Sequence, residues 1–360
     1  MKKLLVDLIK IDSVSSNVEK LNIIVDYVEK YFDWTGAIIE RYTFNDKPSI
    51  IIKNFEWKKA DIILNWHLDV VPPSEENQFE PYEKDGKLFA RWAGDMKAGV
   101  VIIMKLMKDL LLEKFFKKKV SLILTTDEEV GWFDGVAKIV EKWYSADIVL
   151  IPDGGNIDKV VYSEKGIIQL DMEFYWKSSH SSRPWLGENA ITNAINFYSF
   201  IKSYIQDDKK LFLTKDHWWS SVNLNYLNAW IATNVIPDKA RAKIDIRFTE
   251  EFNLDKLLNF VYDGIKQFNW KILNTITWSV LHSDPSNKYI RKYLENAKKY
   301  VPDVVLDKEH WASDGRFFSE KWAVVLLHRP ACANLHWKGE YVVLKDLEVI
   351  YNIYKDFILN

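Results

Sequence analysis

Apolar positions in the first half of the chain follow two periodicities. Within the first 30 residues they recur every three or four positions, which predicts two helices, and Ser15, Ser16 and Asn17 are candidate N-caps for the second. Continuous apolar runs typical of buried strands occupy 62–67, 120–126 and 146–151. Helical patterns occupy 97–112 and 132–142. Because strands and helices alternate, we expect an α/β fold with a mostly parallel sheet.

The pattern changes near Gly166, where apolar and polar residues begin to alternate as in a half-exposed antiparallel strand. Predicted helices follow at 189–205 and 253–269, and predicted strands at 221–230, 239–248 and 271–279. This β-α-β-β-α-β order predicts a ferredoxin-like α+β domain over 166–279. The α/β pattern then resumes, with helices at 287–299 and 343–358 and a strand at 323–327. The smaller domain is therefore predicted to be inserted into a discontinuous domain of residues 1–165 and 280–360.

Charge and cysteine content narrow the class of protein. The chain carries 49 Lys+Arg against 51 Asp+Glu and has no basic stripe with interleaved aromatic residues, which argues against a nucleic-acid partner. Its single cysteine, Cys332, excludes an intramolecular disulfide and favours a reducing compartment. Asp7 interrupts the apolar N-terminus too early for a signal peptide, and no apolar run approaches about 18 residues. These features predict a cytoplasmic protein with no membrane partner.

Histidine and acidic residues follow the predicted strands, at the edge where open α/β sheets place their sites. His67 and Asp69 end the first strand. A neutral imidazole is a good zinc ligand and a nearby carboxylate can orient it, although a surface histidine beside an aspartate is the alternative. Asp95 lies in a turn before a helix, with Gly94 and Gly99 beside it. Its carboxylate can bridge two cations or act as an ordinary N-cap.

Three consecutive carboxylates, Asp127, Glu128 and Glu129, follow the next strand. They repel one another unless a positive charge lies nearby, and a metal ion supplies that charge. One carboxylate can then bind the metal while its neighbour takes a proton from water. The alternative is an acidic surface loop. Asp153 follows the third strand and His336 lies far along the chain, and each is a weak signal alone.

Together these residues resemble the M20 family of two-zinc amidohydrolases and peptidases, which includes succinyl-diaminopimelate desuccinylase and acetylornithine deacetylase. The matching strings extend along nearly the whole chain: HLDVVP, GDMKAG, TTDEEVG, IPDGG, SSHSSRPWLGENAI, TNVIP, DIRF, SDGRF and LHWKGEY. The resemblance implies a catalytic domain with two Zn²⁺ ions per subunit, which Co²⁺ or Mn²⁺ can replace. It also implies that the inserted domain is a lid through which two subunits form a homodimer.

The resemblance also assigns roles to single residues. It implies that His67 and Asp153 bind the first ion, that Glu129 and His336 bind the second, and that Asp95 bridges both. The peptide bond after Asp95 is expected to be cis, as it is in this family.

Three further residues are implied to act in catalysis. Glu128 matches the general base that later acts as acid, and Asp69 matches the residue that orients His67. His180 matches the histidine that reaches the site of a neighbouring subunit and stabilises the oxyanion.

Substrate contacts are implied for Asn234, Arg247 and Arg316, and an arginine fork suits a carboxylate. For Arg247 alone, an ordinary cross-strand ion pair is the alternative. The remaining histidines match no family ligand and are predicted to be structural: His217, His282, His310 and His328.

The substrate class stays open between two branches of the family. The strings SDGRF and TNVIP and the chain length resemble the desuccinylase and deacetylase branch, whose substrates are N-acyl amino acids. Asp153 in IPDGG resembles the dipeptidases and tripeptidases, because deacylases more often carry Glu there, and Glu164 stands where desuccinylases tend to carry Arg. A hypothesis of another class is a non-catalytic binding or scaffold homologue, although every implied ligand and the base are present.

Tryptophan is unusually frequent and glycine unusually rare, at 16 and 13 of 360 residues. Tryptophan stands where the family usually has glycine at Trp66, Trp92, Trp132, Trp176, Trp230, Trp311 and Trp322, and less clearly at Trp34, Trp57, Trp143 and Trp337, whereas Trp185 fits its motif. Several of these positions are turns that favour φ > 0. Some bacterial lineages read the UGA codon as glycine and others as tryptophan. We therefore hypothesise that the native protein carries glycine at these positions.

Overall fold

The computed structural model describes residues 1–73, 76–131, 133–206, 215–229 and 231–360. The chain divides into two compact units. The first comprises Met1–Ser163, His282–Glu309 and Ser313–Asn360, and the second comprises Glu164–Leu281 and His310–Ala312.

Helices and strands are numbered here in chain order. The described helices are α1 (Lys2–Ile9), α2 (Val18–Tyr31), α3 (Ala98–Leu112), α4 (Val136–Glu141), α5 (Ala190–Ile205), α6 (Leu254–Ile265), α7 (Lys288–Ala297), α8 (Gly315–Ser319) and α9 (Leu344–Leu359). The described strands are β1 (Ile38–Phe44), β2 (Lys47–Lys53), β3 (Lys59–His67), β4 (Tyr82–Lys84), β5 (Lys87–Phe89), β6 (Val120–Thr125), β7 (Ser145–Ile151), β8 (Lys159–Glu164), β9 (Gly166–Tyr175), β10 (Ser179–His180), β11 (Ser221–Asn228), β12 (Val235–Ile236), β13 (Lys239–Phe248), β14 (Trp270–Trp278), β15 (Leu281–His282), β16 (Val305–Glu309), β17 (Val324–Leu327), β18 (Cys332–Ala333) and β19 (Tyr341–Val343).

The largest sheet has the order β1-β2-β6-β3-β7-β17-β8-β15, with β16 paired to β8. Its central strands β6, β3, β7 and β17 run parallel to one another. Antiparallel pairing occurs towards both edges, between β1 and β2 on one side and between β17 and β8 on the other. The central strands are buried because they are continuous apolar runs with no solvent-facing side. The predicted α/β fold with a mostly parallel sheet is therefore confirmed.

Helices of the first unit cover this sheet. The side chain of Asn17 accepts a hydrogen bond from the Lys20 amide at 3.2 Å, so it is the N-cap of α2 among the predicted candidates. Helix α3 packs against α9 and against β3 and β6, while α4 and α8 pack against each other. Among the described helices, none is both long enough and apolar enough to cross a bilayer.

A small antiparallel sheet of order β18-β19-β5-β4 completes the first unit. Its strands have only two or three residues each, and the loop from β18 to β19 contains His336. Residues Tyr341 and Val342 of β19 pair with Phe89 and Leu88 of β5. This pairing holds the loop from β18 to β19 beside the segment that leads from β5 to Asp95.

The second unit has the predicted β-α-β-β-α-β order, formed by β9, α5, β11, β13, α6 and β14. Its sheet has the order β11-β13-β9-β14, and all neighbouring strands are antiparallel. Burial alternates along β9 and β13, as the sequence pattern predicts. The buried face packs with α5 and α6 around an apolar core that includes Phe174, Phe197 and Leu257.

Candidate functional site

The candidate site lies at the carboxyl ends of the parallel strands of the first unit. His67 is the last residue of β3, Asp127 and the two glutamates after it follow β6, and Asp153 follows β7. Because β6, β3 and β7 are adjacent and parallel, their ends meet at one edge of the sheet. The topology thus brings these residues together as the sequence predicts.

His67 is buried and oriented by Asp69. Its Nδ1 lies 3.0 Å from the backbone oxygen of Asp69 and 3.4 Å from Asp69 Oδ1. Its Nε2 has no hydrogen-bond partner among the described residues and lies 3.7 Å from Asp95 Oδ1 and 3.9 Å from Glu128 Oε2. An imidazole held through Nδ1, with Nε2 turned towards carboxylates, is suited to bind a metal ion.

Asp69 also fixes the loop that carries the two glutamates. Its carboxylate accepts hydrogen bonds from the backbone amides of Glu128 and Glu129, at 3.1 and 3.2 Å, and from Ser15 Oγ at 2.7 Å. Asp69 is fully buried. One carboxylate therefore positions His67 and both glutamates.

The second group consists of Asp95, Glu129 and His336, whose ligand atoms all lie within 4.8 Å of one another. His336 Nε2 is 3.3 Å from Glu129 Oε1 and 3.4 Å from Asp95 Oδ2. The other oxygen of Asp95 faces His67 at 3.7 Å. Asp95 therefore lies between the two histidines, with one oxygen directed to each.

Glu340 supports the turn that contains Asp95. Its Oε1 accepts hydrogen bonds from the amides of Gly94 and Asp95, at 3.0 and 3.1 Å. These residues are 246 and 245 positions away from Glu340 in the sequence. Burial raises the pKa of Glu340 to about 7, although these amide hydrogen bonds oppose the shift. The peptide bond between Asp95 and Met96 is cis, as predicted. The motif around His336 thus supplies both a candidate ligand and a support for Asp95.

Replacing Glu340 with alanine is expected to lower the free energy of unfolding by about 1–3 kcal/mol, because two buried amides lose their acceptor. It should also weaken metal binding, because Asp95 loses its support. Urea unfolding and the bound metal content measure the two effects. Glu340→Gln keeps an acceptor oxygen and should retain most of both properties. Equal losses in the two variants would show that the charge, and not the acceptor, is what the turn needs.

Asp153 differs from the other predicted ligands in its contacts. Its Oδ1 accepts a hydrogen bond from Arg329 Nη1 at 2.8 Å, and both residues are buried. Burial raises the pKa of Asp153, the charge of Asp95 adds to this shift, and Arg329 opposes it. The carboxylate therefore already has one cationic partner from the chain itself.

The site holds more acid than its own cations balance. Burial raises the pKa of Glu128 well above its usual range; the charge of His67 opposes this shift, and the charges of Glu129, Asp95 and Asp314 add to it. Hydrogen bonds to Asp95 and Glu129 raise the pKa of His336 to about 10. Without a metal, such a site retains protons that a dication would displace. Two histidines and several carboxylates around a shared aspartate therefore fit a pair of divalent cations.

The predicted substrate contacts lie in both units. In the second unit, His180 Nε2 is 3.4 Å from Asn234 Nδ2, because β10 and β12 pair His180 with Val235. Arg247 forms an ion pair with Asp245 on its own strand, at 2.9 Å, and has no cross-strand ion pair within the part of the chain that the structure describes. Arg316 belongs to the first unit, is buried, and has its guanidinium 5.1 Å from the ring centre of Phe317.

Sequence reasoning did not single out Asp314, Arg329 or Glu340. Asp314 stands inside the SDGRF string, is fully buried, and neither of its oxygens has a hydrogen-bond partner among the described residues. Burial raises its pKa to about 7, with His67 opposing the shift and Asp127 adding to it. Its place inside the SDGRF string was the signal from which Asp314 could have been identified. Glu340 likewise stands inside the LHWKGEY string. Arg329 gave no signal, because its partner Asp153 is distant in sequence.

Four histidines were predicted to be structural. Each of them forms contacts with groups other than the candidate metal ligands. Buried His328 lies 2.9 Å from both Tyr293 Oη and the backbone oxygen of Ile157. His282 Nδ1 is 3.1 Å from Ser163 Oγ. In the second unit, the rings of His217 and His310 pack against tryptophan rings, those of Trp219 and Trp218.

Several tryptophans adopt backbone conformations that favour glycine. Positive φ angles occur at Trp34 (66°), Trp92 (73°), Trp143 (74°) and Trp322 (70°). Two tryptophans are buried beside the candidate ligands. The Trp66 ring centre is 4.5 Å from that of His67, the Trp92 ring centre is 6.0 Å from that of His336, and neither indole nitrogen has a hydrogen-bond partner among the described residues. Trp132 and Trp230 lie outside the described residues.

Comparison with known proteins identifies the family. The sequence profile of peptidase family M20/M25/M40 matches residues 63–360, most of the chain. The chain belongs to this family. It is therefore a metallohydrolase that acts on amide or peptide bonds, in a family that depends on two metal ions.

Relatives and solved structures extend over nearly the whole chain. An uncharacterized metallohydrolase of Methanocaldococcus jannaschii is 27% identical, with 98% of each chain covered. The succinyl-diaminopimelate desuccinylase of Buchnera aphidicola is also 27% identical, over 90% of this chain and 89% of that protein. The crystal structure of the aminopeptidase PepT from Bacillus cereus has the same fold, with a TM-score of 0.80, 14% identity, and coverage of 99% of this chain and 96% of that one.

Proposed function

We propose that this chain is a two-zinc amidohydrolase that removes the acyl group from an N-acyl amino acid with a free carboxylate. The observation that carries the proposal is the position of Asp95 between His67 and His336, with one oxygen directed to each imidazole. One carboxylate between two histidines is suited to bridge a pair of cations. The metals proposed are Zn²⁺ ions, with Co²⁺ or Mn²⁺ as functional replacements.

The first ion would be held by His67, Asp95 and Asp153, and the second by Asp95, Glu129 and His336. The second group is supported by the convergence of its three ligand atoms within 4.8 Å. For the first, support comes from the buried Nε2 of His67, which has no hydrogen-bond partner among the described residues. Bound ions of this kind polarise a carbonyl and lower the pKa of water.

Glu128 is the proposed general base. Its Oε2 is 3.9 Å from His67 Nε2, so it borders the space between the ligands. It accepts a proton from the attacking water and then donates that proton to the departing nitrogen as the carbon–nitrogen bond breaks. Asp69 keeps His67 and the Glu128 amide in position throughout.

The second unit is proposed to be a lid and a dimerisation domain. His180 would donate a hydrogen bond to the oxyanion of a neighbouring subunit's site, and Asn234, 3.4 Å from His180, would bind the substrate beside it. Arg247 and Arg316 are the proposed partners of the substrate carboxylate. For Arg247 this requires exchange of its present partner, Asp245.

N-succinyl-diaminopimelate is the leading substrate and N-acetylornithine the neighbouring one. The desuccinylase relative supports this choice. A short-peptide peptidase is the second candidate, because Asp153 replaces the glutamate that is usual in the deacylases. The likeness to an aminopeptidase supports only the fold of this alternative.

A substrate panel distinguishes these functions. The metal-loaded protein is assayed for amine release from N-succinyl-diaminopimelate, N-acetylornithine, dipeptides and tripeptides, with the carboxamide of each acylated amino acid as the matched control. We expect the highest kcat/KM with an acylated amino acid and a marked loss with its carboxamide. Faster cleavage of peptides would assign the peptidase function. No turnover by a protein with both metals bound would favour the non-catalytic homologue.

A further inference from the structure

Arg329 and Asp153 are brought together by the register of two neighbouring strands. In the parallel pair β7 and β17, Ile151 lies opposite Leu327, and the amide of His328 donates to the backbone oxygen of Ile151 at 3.0 Å. Asp153 and Arg329 each stand two positions beyond this pair, so the backbone places them side by side. Their 2.8 Å contact therefore follows from the central sheet and not from a surface loop.

The pair is enclosed, with 8% of Asp153 and 7% of Arg329 exposed. A guanidinium is permanently charged and cannot leave by losing its proton. A dication bound to the same carboxylate therefore meets a like charge in a setting where solvent screens little. The arginine holds Asp153 in place, and at the same time it opposes binding of the first metal ion, for which this carboxylate is a proposed ligand.

The position built on Glu129 and His336 differs. Among the described residues, the ion pairs of Glu129 and His336 are with each other and with Asp95, and these three residues already converge as metal ligands do. Among the described residues, no such converging group includes Asp153. The two halves of the proposed site thus differ in the charge that the chain places beside them.

We propose that Arg329 is a positioning residue that weakens the metal position built on His67 and Asp153 relative to the position built on Glu129 and His336. This inference rests on the ligands assigned under the proposed function. The arginine makes the first position the exchangeable one, so that it fills last and empties first.

Titration of the metal-free protein with Co²⁺, monitored by calorimetry and by visible absorption, tests the proposal without any substrate. The wild-type protein should bind two ions in separate steps. Arg329→Gln keeps a donor for Asp153 but removes the charge, and it should tighten the weaker step about tenfold or more while changing the tighter step less than twofold. Arg329→Lys keeps the charge and should retain the wild-type pattern.

Asp153→Asn supplies the internal check. If Asp153 is a ligand, this change weakens one step, and the effect of Arg329→Gln should disappear in its presence. Two normal steps in Asp153→Asn alone would contradict the ligand assignment and not only the role of Arg329. A weaker step that is unchanged or weakened in Arg329→Gln, with Asp153 confirmed as a ligand, would overturn the proposal. Arg329→Met repeats the test without charge if the glutamine variant does not fold, as judged by circular dichroism.

Discussion

Replacing Glu128 with glutamine is expected to lower kcat by about 10²–10⁴-fold, the usual contribution of a general acid–base group. Glutamine preserves the size of the side chain but cannot accept the proton of the attacking water. The bound metal should be unchanged, because Glu128 is not one of the ligands proposed for either ion. Steady-state kinetics together with elemental analysis of the purified variant measure both quantities.

The electrostatics of Glu128 give the reason for so large an effect. Burial raises its pKa, His67 opposes the shift, and the neighbouring carboxylates add to it, so this side chain binds a proton more readily than an exposed glutamate does. Such a group can take a proton from water and return it to a leaving amine. The exposed Glu113→Gln is the matched control and should keep wild-type kinetics. Full activity of Glu128→Gln with both metals bound would remove the mechanism, and loss of metal would make Glu128 a ligand instead.

Replacing Trp34, Trp143 and Trp322 together with glycine is expected to raise the free energy of unfolding by about 2–4 kcal/mol, because the relief of backbone strain at three positions exceeds the extra conformational entropy that glycine loses on folding. Each has a φ between 66° and 74°, a left-handed conformation that costs a residue with a Cβ about 1–2 kcal/mol. Their exposed fractions are 100%, 82% and 95%, so the rings contribute almost no packing that could be lost. Urea unfolding measures the change.

Trp185→Gly is the control for this experiment. Trp185 is also largely exposed, but its φ is not positive, so glycine there should leave stability unchanged or lower it. If the triple variant is no more stable than the parent chain, the strain argument is wrong.

The hypothesis that the native protein carries glycine at these tryptophan positions can be tested separately. Peptide mass spectrometry of the protein from its source cells should find glycine at positions 66, 92 and 322, and tryptophan there would contradict it.

The sequence predicted those parts of the fold in which neighbouring residues share one pattern of apolar and polar positions. Apolar runs identified β3, β6 and β7 within one to three residues, and the ends of these strands then placed His67, Glu129 and Asp153 at one edge. The helix predicted at 132–142 begins only at Val136. The carboxylate of Asp127 accepts hydrogen bonds from the backbone amides of Asp134 and Gly135. These bonds hold the two residues before Val136 in a turn.

Other parts depend on partners that sequence patterns do not reveal. The small sheet of β4, β5, β18 and β19 has strands of two or three residues, too short for any periodicity. The β1–β2 hairpin was missed, although Asn45 and Asp46 at its turn are residues that accept positive φ. Arg329 and Glu340 act across more than 170 positions, so neither contact has a local signature.

The place of β17 between β7 and β8 has a consequence for how the protein is made. These two strands are close in sequence, yet the strand that fits between them begins about 170 residues after β7 ends. At a synthesis rate of about 5–20 residues per second, this gap lasts roughly 10–30 s. During that time the nascent chain exposes two open strand edges, while the self-contained second unit is completed in between. We therefore expect the nascent chain to need protection from edge-to-edge aggregation at this stage. The metals are expected to enter only after the segment that contains the proposed ligand His336 has been synthesised.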